Sequence, residues 1–275
     1  MESRPEEAWS VNKIDPAQVM MTKELLGAGA HGVVLKGFFR GNAVALKRVR
    51  KGAEYAGEAP LLKHCQHASV LKVIGTYRDD ARRQVIVTEL CERRSIADVF
   101  ESDACRFVLP AHALRFMRQI AEAMRHLHLL GVAHRDLKPA NVMVCADLSI
   151  RLGDFGQARQ EAPMMSNAPG SAYYMAPEAY QGHDYSTGAD VYSYAITCWE
   201  ILEPSHQSAW PRNMQETQVQ QAMQRGVRPS LEKIPGEARP LIQQCWDGHA
   251  CSRPQFKDLL TPGGLLDRIR TLVYT

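Results

Sequence analysis

Asp136, Asn141 and Asp154 fall within one short stretch, and their side chains carry the oxygen atoms that hard divalent cations prefer. The stretch reads H-R-D-L-K-P-A-N from His134, V-M-V-C-A-D-L-S-I-R-L-G from Val142, and D-F-G from Asp154. Val142 to Val144 and Ile150 to Leu152 are short apolar runs, separated by the turn-rich Cys145-Ala146-Asp147-Leu148-Ser149. That pattern predicts a hairpin. A strand out and a strand back cancel each other's rise of about 3.3 Å per residue, so Asp154 is expected beside Asn141. Two oxygen ligands at the end of a hairpin suit Mg²⁺, which keeps several waters and binds substrate phosphates. Asp136 remains as a third carboxylate, near the metal and available to a hydroxyl.

The elements that must position these groups are spread over most of the chain. Gly27, Gly29 and Gly32 carry a G-x-G-x-x-G-x-V spacing that Val34 closes. A glycine trio alone also fits an ordinary hairpin turn. Here it is followed by Val33-Val34-Leu35, a turn at Arg40-Gly41-Asn42, and the strand Val44-Ala45-Leu46-Lys47. Strand character begins at Thr22, after a polar segment anchored by Trp9, Val11 and Ile14. Gln84 to Thr88 reads as a buried strand followed by Glu89-Leu90-Cys91. Leu114, Met117, Ile120, Ala121, Met124 and Leu127 recur every three or four residues, as one face of a long helix does, and Gly131 ends it. Asp190 to Leu202 is apolar on nearly every face and belongs inside a lobe.

Length and composition exclude several classes. At 275 residues the chain holds one large domain or two lobes around a cleft; 45% hydrophobic and 23% charged residues support a real core and a polar surface. A net charge of +3 argues for neither a nucleic-acid nor a membrane partner. The basic run Lys47 to Lys51 reads as a solvated strand end or as a localisation signal. No run is apolar enough to span a bilayer, and Met1-Glu2-Ser3 opens no signal-peptide pattern. Seven cysteines, without a C-x-x-C pair, predict reduced thiols and a cytoplasmic protein.

Taken together the motifs resemble those of protein kinases, over residues of roughly 20 to 260. The glycine spacing, V-A-L-K ending at Lys47, H-R-D, D-F-G, and A-P-E at Ala176-Pro177-Glu178 occur in the family's order. The resemblance implies an α+β, bilobal fold, with a small, mainly β N-lobe carrying one helix and a larger, mainly α C-lobe. It implies an extension over residues 1–20 and a kinase domain over 21–268, with the N-lobe at about 21–90, the hinge at about 89–94 and the C-lobe at about 95–268. ATP and Mg²⁺ are the implied cofactors. Leu26, Gly27, Ala28, Gly29, Ala30, His31, Gly32, Val33 and Val34 would cover the nucleotide. Ala45, the gatekeeper Thr88, and the hinge residues Glu89 and Cys91 would hold its base. Lys47 would meet the phosphates, Asn141 and Asp154 the metal, Asp136 the acceptor hydroxyl as base, and Lys138 the γ-phosphate, with Ser171 steadying Asp136. Arg253 would pair with Glu178. Lys138-Pro139, Gly170-Ser171 and the C-W…R-P-x-F ending around Trp246 and Phe256 most resemble tyrosine-kinase-like serine/threonine kinases, with protein substrates. Arg135 resembles the arginine that receives an activation-loop phosphate, with Ser166 as the candidate.

Two points stay open in the sequence. Glu58 aligns with the glutamate that orients the family's lysine, yet Lys47 and Glu58 are only 11 positions apart, and Pro60 belongs at a helix start. A helix beginning at Pro60 would leave Glu58 in an extended segment, so the resting protein is expected to hold the pair apart; Glu54 is the second candidate. The same departure keeps a second function in view, a pseudokinase scaffold that binds nucleotide without efficient transfer.

Overall fold

The computed structural model describes residues 10–29, 32–50, 57–102, 105–160, 171–180, 186–203, 205, 207–211 and 213–269. Trp9, Ala30, His31, Lys51, Glu54, Ser166 and Gly170 lie outside them.

The first half of the chain makes an antiparallel sheet in the order β1 (Val19–Gly29), β2 (Gly32–Phe39), β3 (Asn42–Val49), β5 (Gln84–Glu89), β4 (Val73–Arg78). β1 therefore begins three residues before Thr22, where the alternation first becomes legible. Because successive strand residues point to opposite faces, β3 and β5 separate two environments. Val44, Leu46, Val85 and Val87 pack with Ile14 into one small apolar cluster. Ala45 and Lys47 point to the other face, where they pair in register with Thr88 and Ile86. The segment before β1 covers the first cluster: Ile14 N donates to Thr76 O (2.9 Å), and Thr76 N donates to Asn12 O (2.9 Å). The tight β1–β2 connection depends on Gly32, at φ +143, since a Cβ there would collide with the Arg48 carbonyl. α1 (Glu58–His64) lies between β3 and β4 and buries Ala59, Leu61 and Leu62 in the main core.

The second half is mainly helical. It comprises α2 (Ile96–Phe100), α3 (Cys105–Leu129), the short strands β6 (Val132–Ala133), β7 (Val142–Val144), β8 (Ile150–Leu152) and β9 (Arg159–Gln160), and then α4 (Pro177–Tyr180), α5 (Thr187–Leu202), α6 (Glu216–Gln224), α7 (Arg239–Cys245), α8 (Phe256–Leu260) and α9 (Leu265–Arg268). The periodic residues of α3 do what their spacing predicts: Met117, Ile120, Ala121, Met124 and Leu127 are fully buried, with Leu114 partly so. Gly131, at φ +67, turns the chain out of α3 in the left-handed conformation that ends many helices. Every residue of α5 from Ala189 to Leu202 is buried. β7 and β8 pair antiparallel with Val142 opposite Leu152 and Val144 opposite Ile150. The expected hairpin thus forms. This small, five-stranded lobe beside a larger helical one is the α+β, bilobal arrangement implied by the motifs. No helix among the described residues is long and apolar enough to cross a membrane.

Helical packing converges on Phe256, whose ring meets the edges of His128 (centroids 5.1 Å apart) and Tyr194 (5.3 Å). Phe256→Ala removes a fully buried ring from the seam between α3, α5 and α8. It is expected to lower unfolding stability by about 3–5 kcal/mol, read as a reduced urea midpoint with unchanged slope.

Candidate active site

A cavity of about 530 Å³ opens between the sheet and the helical lobe. Leu26, Gly27, Ala28, Gly29, Gly32 and Val34 border it from above; Ala45, Lys47, Glu58 and Thr88 border it from the inner sheet face and α1. Glu89 and Cys91 close the back, and Asp136, Lys138, Asn141 and Asp154 form the base. The Val33 side chain is 36% exposed and does not border the cavity, because strand alternation turns it away from the face that carries Val34.

Lys47 holds the two lobes' carboxylates together. Its Nζ donates to Glu58 Oε1 and Oε2 at 2.7 and 2.9 Å and to Asp154 Oδ1 at 2.8 Å. Burial favours the neutral amine, but the two carboxylates outweigh it and hold the lysine pKa above its usual value. The expected separation of Lys47 from Glu58 is therefore overturned. α1 starts at Glu58, two residues before Pro60. Pro60 occupies the first turn, where a backbone N–H has no intrahelical acceptor, so its missing donor interrupts nothing. Burial of Ala59, Leu61 and Leu62 outweighs the local reluctance of Ala59 to be helical before a proline.

The β7–β8 hairpin brings the remaining groups together. Gly153 N donates to Asn141 O at 2.8 Å, so Asp154 follows immediately beside Asn141. Asn141 Nδ2 donates to both Asp136 O (2.7 Å) and Asp136 Oδ2 (2.9 Å). Since only the amide nitrogen can donate to those acceptors, the flip of Asn141 is settled by its neighbours. Lys138 Nζ bridges Asp136 Oδ2 (2.7 Å) and Ser171 Oγ (2.6 Å), and Ser171 N donates to Asp136 Oδ1 (3.0 Å). Asp136 is thereby clamped on both oxygens while still bordering the cavity.

Beneath this loop lies Asp190 at the start of α5, completely buried. It accepts from His134 N, Arg135 N and His128 Nε2, each at 2.9 Å. Burial opposes its charge, but the His128 hydrogen bond, the nearby histidines and the Arg135 amide together hold its pKa below the ordinary carboxyl value of 3.8. His134 works upward from the same point. Its Nε2 donates to Gly153 O (3.0 Å) and its Nδ1 accepts from Asp136 N (3.3 Å), so one tautomer serves both contacts. Arg135 and Asp154 both sit at positive φ, +70° and +54°. Two non-glycine residues in that region at one site are local strain held in place by the surrounding bonds.

The family described as protein tyrosine and serine/threonine kinase matches residues 20–262. The chain belongs to this kinase family. Its relatives include a probable serine/threonine-protein kinase of Dictyostelium discoideum, 30% identical over 256 residues, which span 90% of this chain and 18% of the relative. Mitogen-activated protein kinase kinase kinase 7 of Homo sapiens is 28% identical over 268 residues, 93% of this chain and 43% of that protein. A probable LIM domain-containing serine/threonine-protein kinase of Dictyostelium discoideum is 30% identical over 250 residues, 86% of this chain and 25% of the relative. The kinase chain spans less than half the length of each of these relatives.

The kinase structure also shows partners that the motifs did not name. Arg253 grips Glu178 with both terminal nitrogens (2.6 and 2.9 Å), as expected, but also donates to Gly188 O (2.9 Å) and Asp247 O (2.8 Å). The segment after Ser171 is held by α5 and α6: Tyr174 OH donates to Glu200 Oε2 (2.9 Å), Ser193 Oγ to Tyr174 O (2.9 Å), and Gln220 Nε2 to Ala172 O. Burial pushes the Glu200 carboxyl up, opposed by the Ala209 amide and the Tyr174 hydroxyl. A glutamate in the middle of an apolar helix was the one available signal for this anchor. Ile86 and Met143 also border the cavity, although no motif marks them.

Asp190→Asn tests the hub. The substitution keeps one acceptor and sets an amide against buried N–H donors, at a cost of about 1–3 kcal/mol. Because the folded-state pKa of Asp190 is depressed, its contribution is present above 3.8 and fades as pH falls through the lower folded value. Urea unfolding of the two proteins should therefore differ at pH 6 and converge as the pH drops below 3.8.

Proposed function

We propose that the chain is the catalytic domain of a cytoplasmic protein serine/threonine kinase, which transfers the γ-phosphoryl group of ATP to hydroxyls of a protein substrate. The domain runs from 21 to 268, with residues of about 89–94 as the hinge between a lobe at about 21–90 and a lobe at about 95–268. The observation that carries this reading is the Lys47 ammonium between Glu58 and Asp154, at 2.7 and 2.8 Å, facing a cavity based by Asp136 and Asn141.

The residues present fit ATP and Mg²⁺. Asn141 directs its amide N–H groups to Asp136, so the atom it offers a cation is its oxygen, the donor Mg²⁺ prefers. Gly27 and Gly29 have nothing within 4 Å of where a Cβ would stand, which leaves room above the cavity for a nucleotide. ATP with Mg²⁺ supplies the transferable group and the charge that neutralises it. Asn141 and Asp154 would hold the metal. Lys47, oriented by Glu58, would meet the phosphates, with the backbone of Gly27 to Val34 above them. The Glu89 and Cys91 backbone would hold the base beside Ala45 and Thr88. Asp136 would orient the acceptor hydroxyl and take its proton, while Lys138 keeps positive charge between that carboxylate and the transferred group. The Lys138–Ser171 contact supports serine/threonine rather than tyrosine acceptors. The pseudokinase alternative drew its support from the short Lys47–Glu58 interval and Pro60, and the ion pair that forms despite both favours the enzyme.

Phosphotransfer to a generic basic protein, with phosphoamino-acid analysis, tests the proposal. Asp136→Asn should retain ATP binding and lose about 10²–10⁴-fold in turnover; Asp154→Asn should lose magnesium-dependent transfer. Wild-type activity confined to tyrosine, or transfer indifferent to both substitutions, overturns the reading. Pro60→Ala should leave basal turnover within about twofold, because the first helical turn tolerates either residue; a several-fold rise would revive the open resting state.

A further inference from the structure

Cys91 and Cys145 are 54 residues apart in sequence, and their Sγ atoms are 3.5 Å apart. The backbone around them explains the approach. Arg93 N donates to Val144 O (3.1 Å) and Val144 N donates to Arg94 O (2.7 Å), which lays the connection after β5 along the end of β7. Ala146 N donates to Glu92 Oε2 at 2.9 Å, and Cys145 N to Ser149 O at 2.8 Å, which closes the β7–β8 turn against the same segment. The two thiols therefore face each other across two backbone segments that are themselves hydrogen-bonded. Cys91 borders the cavity and is only 8% exposed, whereas Cys145 is partly exposed.

We infer that Cys91 and Cys145 form a reversible disulfide, through which a hydroperoxide weakens nucleotide binding at the adjoining cavity. The binding consequence rests on the proposed nucleotide site; the disulfide itself does not. Cys145, the more exposed thiol, reacts first. Its thiolate sulfur attacks one peroxide oxygen, the O–O bond breaks, and the other oxygen leaves as an alcohol or water after taking a proton. Cys145 becomes a sulfenic acid. The Cys91 sulfur then attacks the Cys145 sulfur; an S–S bond forms, the S–O bond breaks, and hydroxide leaves as water with the Cys91 proton. Two thiols lose two electrons in all, and the peroxide gains them. The surroundings favour this order. The Cys91 thiol, against burial and with help from Arg151 and Ser149, brings the Cys145 pKa down to about 7, while Cys91 is pushed up by its bond to Cys145 and by burial.

A disulfide holds its sulfurs about 2.0 Å apart, so closure must draw Cys91 toward the hairpin. The neighbouring Glu89 is tied elsewhere: its N–H donates to Lys72 O (3.0 Å), and its carboxylate accepts from Lys72 N (2.8 Å). Strain from closure therefore falls on Leu90 and Cys91, both of which border the cavity.

The test treats the full chain with hydrogen peroxide, then alkylates it and digests it with trypsin. A cross-linked pair of peptides, Gln84–Arg93 with Asp136–Arg151, should appear, vanish with dithiothreitol, and be absent from Cys145→Ser. ATP affinity measured by calorimetry should fall about fivefold on oxidation, roughly the worth of one disturbed hydrogen bond, and return on reduction. Cys145→Ser should bind ATP like the reduced wild type and ignore peroxide. Oxidation confined to the exposed Cys251, or Cys145 oxidised without a cross-link, overturns the disulfide. A cross-link that leaves ATP affinity unchanged overturns its effect on the cavity. If the reduced protein binds no ATP at all, the nucleotide reading has failed instead, and the peptide map still decides the disulfide.

Discussion

The buried carboxylate of Asp190 is the constraint from which the site is built. It has no exposure to water, and its charge is tolerable because hydrogen-bond donors converge on it, among them His128, His134 and Arg135. Two of those donors are the backbone amides of His134 and Arg135, and this fixes the path of the loop that delivers Asp136. With the loop pinned from below, His134 can reach the Gly153 carbonyl and tie it to the start of the D-F-G segment. The left-handed torsions of Arg135 and Asp154 are sustained by the same bonds. A mainly apolar helix, which also buries Glu200, thus carries a charge at its first turn, and that charge organises backbone rather than substrate.

A second electrostatic cluster sits above the first. Lys47 has three donors and uses them on Glu58 and Asp154, joining β3, α1 and the D-F-G segment through one ammonium. Buried pairs of this kind contribute little net stability compared with apolar packing, but removing one partner leaves the others uncompensated, at about 3–5 kcal/mol. Their value is geometric. They set the height of α1 relative to the sheet and hold Asp154 over Asn141 at the cavity base.

Parts of this site were legible because the relevant physics is local. The β7–β8 hairpin follows from two apolar triplets and a turn, and it brings Asp154 beside Asn141. The apolar stripe of α3 and the wholly buried α5 follow from their hydrophobic periodicity. Pro60 misled for the same local reason: a proline rule was applied at the residue itself, whereas the helix starts two residues earlier.

Residue types and short-range spacing in the sequence alone determined the order of the chemical groups and the motifs that resemble those of protein kinases, and that resemblance implied the two-lobed architecture. The β7–β8 hairpin and the helices α3 and α5 depend on periodic apolar patterns and on turns, all settled within a few residues. Only the tertiary structure decided which distant groups meet in three further pairs: Lys47 with Asp154, Glu200 with Tyr174, and Cys91 with Cys145. Such pairings depend on how whole elements pack, and a buried carboxylate or thiol has no preference along the chain for the partner that packing brings to it.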